Sequence, residues 1–259
     1  DRFTLIDVVE QADPSELLSA QIESDATTMR GSVTGDLKYG AAYYPNLLTS
    51  YARHYDVDSV TVKYYVKDET DTVVEKNETL KALESGNTAI FNSVKKILSK
   101  NYLVLPPTPA IAGVMAKTDA SRGVWKAPAN VALAMVQQPT KVIKNDDQEN
   151  LNVDSISGKS INAIRQFTGK GNLVWGARTL EGNSNEWRYI SVRRFFIFAE
   201  ESIQKAIQPF VFEANNESTW IRIRGLIENF LTAQWRSGAI AGSTAGQAFF
   251  VNIGLGETM

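Results

Sequence analysis

The chain has 259 residues, with 27 basic and 29 acidic side chains for a net charge of −2, a balance that offers no general attraction to nucleic acid or to an anionic membrane. Hydrophobic residues make up 43% and charged residues 22%, enough for one large domain with a real core or a domain carrying an insertion. There is no cysteine, which excludes disulfides, thiolate metal sites and cysteine nucleophiles together and suits folding in a reducing cytoplasm.

No apolar run approaches the roughly 20 residues of a bilayer-spanning helix, and Asp1-Arg2-Phe3-Thr4 has neither a signal-peptide pattern nor an initiator Met, as expected of a trimmed chain. Phe3 to Val9 (FTLIDVV) reads as a buried strand, rich in β-branched and aromatic residues. Asp13-Pro14-Ser15 opens a helical stretch, and the apolar segment Gly40 to Pro45 is stopped by its proline. Ser59 to Val66 (SVTVKYYV) predicts a strand, the polar residues 67–79 a loop. Asn87 to Lys100 predicts a helix, with Ile90, Val94 and Ile97 at helical spacing. Residues 54–100 are read as a small insertion, leaving 1–53 and 101–259 as one discontinuous core domain.

Pro106-Pro107-Thr108-Pro109 is a rigid entry to a helix over Pro109 to Ala120, with Thr108 placed to cap it. Ala110, Ala112, Gly113 and Ala116 on that helix permit close backbone approach. Ile161 to Phe167 and Asn172 to Leu180 predict strands around a turn at Gly169-Lys170-Gly171. Two helices follow. One is capped by Ser191 and halted at Pro209, with a stripe of Val192, Phe195, Phe196, Ala199, Ile203, Ala206 and Ile207. The other runs from Ser218 to Arg236, with Trp220, Ile223, Ile227, Phe230 and Leu231 on one face and Ser237-Gly238 as its stop. Ala248 to Ile253 predicts a last strand. The fold class is therefore mixed α/β, a mixed sheet flanked by helices.

Catalytic chemistry finds little support. His54 is the single histidine, and a triad needs a base, an orienting acid and an activated nucleophile together. Gly242-Ser243-Thr244-Ala245-Gly246 has threonine where a nucleophile elbow needs serine. Gly158-Lys159-Ser160 resembles the end of a phosphate-binding loop, but Val153 stands where the loop's first glycine belongs. Asp146-Asp147-Gln148-Glu149 lacks the alternating ligands and glycine of a calcium loop and reads as solvated. Trp187 to Phe198 interleaves three arginines with aromatics. Base stacking is one use of such a run; with Glu200 and Glu201 following, ion pairs within or between subunits suit it better. Two arginines at a helix N-terminus oppose the dipole by about 0.3–1 kcal/mol each, so an acidic partner is expected. No cofactor and no metal is expected.

A succession of motifs carries a family resemblance. Val104 to Asn130 reads VLPPTPAIAGVMAKTDASRGVWKAPAN, and Leu151-Asn152-Val153, Ile161 to Arg165 (INAIR), Val174 to Leu180 (VWGARTL), Trp187-Arg188-Tyr189 and Val192-Arg193-Arg194 follow. Glu228 to Leu231 (ENFL), Trp235 to Ala239 (WRSGA), Phe249-Phe250-Val251 and Gly254 to Met259 (GLGETM) close the series. In this order they resemble the tail sheath family of contractile phages and phage-derived injection systems, with a weaker match before Pro45.

The resemblance implies a structural protein with an α/β core, made in the bacterial cytoplasm and built into a phage tail or extracellular contractile particle. Its partners would be identical sheath subunits, an inner tube protein, and baseplate and terminal cap proteins. It implies no nucleic acid, no membrane insertion and no catalysis; a soluble α/β hydrolase or nucleotide-binding enzyme is the alternative. Segment 54–100 has no counterpart in the resemblance, and Asp1 and Met259 bound a chain without the family's strand-exchanging arms. Such a chain is expected to fold without forming a mesh. Lys126, Arg188, Arg193 and Arg194 are the candidates for subunit contact, and Glu228 to Arg236, including both end residues, for tube contact. Arg122, Gly123, Trp125, Pro128, Asn130, Trp175 and Gly176 form the structural signature.

Overall fold

The computed structural model describes residues 2–11, 17–67 and 71–254. In chain order come β1 (Thr4–Asp7), α1 (Leu18–Ser32), β2 (Gly40–Tyr44), β3 (Leu47–Ala52), β4 (Thr61–Lys67) and β5 (Val73–Thr79). Then follow α2 (Leu80–Gly86), α3 (Thr88–Leu98), β6 (Tyr102–Leu105), α4 (Thr108–Arg122), β7 (Val131–Ala132) and β8 (Val136–Pro139). The chain continues with α5 (Asn145–Asn152), β9 (Ile161–Phe167), β10 (Gly171–Val174), α6 (Ile190–Ile207), α7 (Glu217–Arg236) and α8 (Ala245–Ala248).

A five-stranded sheet in the order β1-β2-β9-β10-β7 organises the core. β1, β2 and β9 run parallel, while β10 is antiparallel to β9 and to β7. Every residue of β2 is buried, and its side chains alternate between two apolar layers. Ala42 and Tyr44 pack with Ile22, Ala26 and Met29 of α1 and Leu151 of α5. Ala41 and Tyr43 pack on the other face with Ile111, Val114 and Met115 of α4 and Ile190 of α6. The sheet is thus covered on both faces, as its parallel part requires. A three-stranded antiparallel sheet, β6-β3-β8, lies beside it.

Polar groups pin these layers. Asp25 on α1 is fully buried and pairs with Lys141 at 2.6 Å. The same carboxylate accepts from the Tyr44 hydroxyl and the Gln11 backbone, both at 2.8 Å. Burial, then the hydrogen bond to Asp25, pushes the Tyr44 hydroxyl well above its ordinary range. Asp7 at the end of β1 accepts from Thr108 N–H at 2.9 Å and from its hydroxyl at 2.7 Å. That contact corrects the cap expected of Thr108. Pro107 stands at the cap position, Thr108 is the first helical residue, and a carboxylate from another strand satisfies the helix start.

A separate apolar cluster lies between Tyr55 and Leu98 in the chain: Leu80, Leu83 and Phe91 are buried beneath Val62 and Tyr64 of β4 and Val94 of α3. Here the expected loop 67–79 is corrected. Residues 73–79 are a strand pairing along its whole length with β4. Its side chains are mostly exposed, so no apolar alternation marks it, and cross-strand pairs such as Lys63–Glu75 at 2.8 Å replace burial. The strand expected over Asn172 to Leu180 is shorter, ending at Val174. The helix start expected at Asp13-Pro14-Ser15 and most of the GLGETM motif lie outside the described residues.

Candidate interface surfaces

α6 begins at Ile190 after an extended Tyr189, with Ser191 inside the first turn and no side-chain cap; the cap expected of Ser191 is corrected. The backbone at Tyr189 forms a bridge with Arg178, and Ile190 N–H bonds to Ala177 O, which places the helix start one residue early. The two arginines that follow have acidic partners, as their position against the dipole demands. Arg193 is 3% exposed and bonds to Glu200 at 3.1 Å. Its guanidinium lies 4.5 Å from the Tyr39 ring centre and 4.6 Å from that of Trp187. Arg194 makes a two-pronged pair with Asp119 at 3.0 and 2.5 Å, tying α6 to α4. Arg188 donates to Ser184 O at 2.7 Å and to Asn185, and lies over the Tyr189 ring. All three arginines therefore bond within the chain, and Arg193 keeps almost no exposed surface. Lys126 is half-buried, and Glu228 and Arg236 are both exposed on α7.

The stripe on α6 is only partly covered. The buried residues of α6 are Ile190, Arg193 and Ala199, so Ala199 alone of the stripe is buried, while Phe196 is 43% exposed. Val192, Phe195 and Ile203 line an open apolar groove of about 630 Å³, closed on its other sides by Trp125, Leu231 and Phe249. The last strand expected over Ala248 to Ile253 is also corrected. Ala245–Ala248 is helical, and residues 249–253 belong to none of the three sheets of the described residues. Their backbone is extended at Phe249 (φ −158°, ψ 163°), and Phe250 is 88% exposed. β-branched and aromatic residues favour a strand, but a strand needs a neighbouring ladder to become one.

The signature residues hold two tight connections. α4 ends at Gly123, whose φ is +92° and whose N–H bonds to Asp119 O. A Cβ there would lie 2.4 Å from the Trp125 ring, so the indole folds back over the glycine. Arg122 is exposed and Pro128 buried. Asn130, at φ +56°, bonds to Val174 O at 2.8 Å and leads into β7. Trp175 stacks obliquely on Phe167 at 4.6 Å. At Gly176 a Cβ would meet Asn162 Oδ1 at 2.7 Å. Asn162, 1% exposed, donates to Ala42 O and Arg178 O and accepts from Arg178 N–H at 2.7 Å. It staples residues 176–178 to the sheet. An asparagine inside the apolar run INAIRQF was the one available signal for it.

Several residues of the motifs weighed for chemistry make structural contacts. Lys159 points its ammonium at Arg30 O (2.5 Å) and Val33 O (2.6 Å), where α1 leaves carbonyls unsatisfied. Ser160 donates to Asn152 O at 2.6 Å. Gly242 O accepts from Trp235 Nε1 at 2.9 Å, and Thr244 precedes α8. Asp147 accepts from Lys144 N–H at the start of α5, and His54 is exposed. Among the described residues no three His, Cys, Asp or Glu converge as a metal site, and no helix is long and apolar enough to cross a membrane.

Comparison with known proteins places this arrangement. Residues 183–254 match the phage tail sheath C-terminal domain. The tail sheath protein of Vibrio phage KVP40 is 27% identical over 128 residues, 49% of this chain and 19% of that protein. Among solved structures, a sheath complex of the extracellular contractile injection system PVC, in the contracted state, is 32% identical with a TM-score of 0.69. It covers 99% of this chain and 55% of its own. The anti-feeding prophage (AFP) baseplate structure contains a chain 35% identical with a TM-score of 0.66, covering 99% of this chain and 51% of its own. The chain is similar in sequence and fold to contractile sheath proteins and spans about half the length of the solved chains it matches.

Proposed function

We propose that this chain, a relative of contractile sheath proteins, is the core of a sheath subunit that polymerises around an inner tube and contracts to drive the tube through a target cell envelope. The observation that carries this reading is the alignment of 99% of the chain with a contracted sheath at 32% identity. The double-sided core supplies what such a subunit needs, a rigid body, because close-packed layers shift as units and do not deform continuously. Residues 1–53 and 101–259 are that body, and 54–100, with its separate apolar cluster, is an insertion upon it. The groove between α6 and α7 and the exposed Phe250 are the apolar surfaces offered to other chain segments or subunits.

On this reading the protein is not an enzyme and uses no cofactor. It is made in the bacterial cytoplasm and built into a phage tail or extracellular particle. Its partners are identical subunits, an inner tube protein, and baseplate and cap proteins, without nucleic acid or membrane insertion. Lys126 and Arg188 lie at contacts that change on contraction, whereas Arg193 and Arg194 hold α6 in place behind them. The exposed α7 positions Glu228 and Arg236 face the tube. Electron microscopy of the whole protein carrying this chain, expressed alone, tests the reading. Regular tubes support it, and a protein that stays monomeric at high concentration overturns it. Charge reversal at Arg236 that leaves tube attachment unchanged would remove α7 from the tube contact.

A further inference from the structure

Two charged patches have no compensating partner among the described residues. Lys117 and Arg122 on α4, with Lys126 just beyond it, line one recess of about 180 Å³ that no carboxylate enters. Lys117 and Arg122 are exposed and Lys126 is half-buried, and no side-chain hydrogen bond or ion pair engages them among the described residues. The nearest acid along α4, Asp119, is committed to Arg194. The negative end of the α4 dipole accounts for Arg122 in its last turn. It does not account for Lys126, which lies beyond the cap. Three cations around one recess repel each other unless an anion joins them.

The counterpart is at the start of α5. Asp146 and Glu149 are exposed there and engage no cation among the described residues. Asp147 between them is turned inward onto the Lys144 backbone, and Arg165 nearby is bonded to the amide side chains of Asn145 and Gln148. α4 packs on one face of the five-stranded sheet and α5 on the other. A single copy cannot bring the two patches together, but a second copy can. Because the patches lie on opposite faces of the sheet, their contact is head to tail, which builds a ring or an open array and not a two-fold dimer.

We propose that the Lys117–Arg122–Lys126 recess receives the Asp146 and Glu149 carboxylates of a second copy of this chain, as a charge-steered contact between neighbours. This deepens the sheath reading, since it names one of the contacts by which subunits would register. Such a contact is wet, weak alone and sensitive to salt.

The test mixes isotope-labelled and unlabelled chains at low ionic strength, joins touching amines and carboxylates with a zero-length carbodiimide, and maps the products by mass spectrometry. Mixed-isotope links from Lys117 or Lys126 to Asp146 or Glu149 are expected. They should be lost in high salt, in a Lys117→Gln/Lys126→Gln variant and in an Asp146→Asn/Glu149→Gln variant. Combining Lys117→Glu/Lys126→Glu with Asp146→Lys/Glu149→Lys should restore links between the swapped positions. Thermal unfolding of each variant checks that it folds. Intermolecular links only elsewhere, or none at all, would overturn the inference. If the whole protein forms tubes and these links are missing, this contact alone is wrong. If the links form and tubes do not, the pairing holds and the sheath reading fails.

Discussion

β2 and α6 both read as apolar from sequence, yet the fold treats them differently. Ala41, Ala42, Tyr43 and Tyr44 are at most 1% exposed, with helices over both faces. On α6 the buried residues are Ile190, Arg193 and Ala199, and α7 buries only Thr219. The first region is finished by the chain itself. The second carries an apolar groove and an exposed Phe250, the character of a surface made to meet something else. The difference separates the residues that hold the chain together from those it leaves open at its surface.

Breaking the first region should cost most. Asp25→Ala strands the buried Lys141 ammonium and the Tyr44 hydroxyl, and losing one partner of such a pair typically costs about 3–5 kcal/mol. Chemical denaturation should show that loss, and an unchanged midpoint would mean that the network is not closed in solution. Ile164→Ala, at a fully buried position between β2 and α4, should cost about 2–5 kcal/mol. Phe196→Ala, at the groove, should cost less than about 1.5 kcal/mol because much of that ring already faces water. Equal losses at Ile164 and Phe196 would erase the comparison. Gly123→Ala probes the junction between the regions. Its φ of +92° and the Trp125 ring against it predict a loss of about 1–3 kcal/mol, read by the same denaturation and accompanied by a change in tryptophan fluorescence.

The sequence disclosed these two regions unequally. β9, α4, α6 and α7 were legible because apolar spacing and breakers such as Pro209 and Gly238 act locally, while β2 showed only as an apolar segment ended by Pro45. β5 was not, since both its faces meet solvent and no periodicity results. The caps were misread where the partner is distant: Asp7 lies 101 positions from Thr108, and no local motif records that. Ala248 to Ile253 shows the converse case, strand-forming residues without a ladder. The arginines of α6 were correctly read as needing acids, but Asp119 could be found only through the packing of α4 on α6. Asn162 and the Asp25–Lys141 pair left almost no trace, because a buried polar contact is defined by three-dimensional neighbours.

The smallest effect, and the most selective, lies at Asp154, which joins the end of α5 to α1. Burial raises its carboxyl, but hydrogen bonds from the Ser157 side chain and backbone, with the Arg30 charge, outweigh burial and hold it below the usual carboxylate range. The Arg30 Nε–Asp154 distance is 3.8 Å, so the Ser157 bonds matter more than the ion pair. Because the folded carboxyl is more acidic than the unfolded one, its contribution is present above the unfolded value of about 3.9 and is lost as pH falls through the folded value. Asp154→Asn should therefore lower stability at neutral pH by about 1 kcal/mol. The gap to the parent protein should close on acidification below about pH 4. Arg30 also bonds to Lys159 O, Asn150 O and Leu151 O, so the α1–α5 junction should survive the change with its other bonds intact. A gap that stays constant down to low pH would show that the lost stability comes from packing and not from the charge.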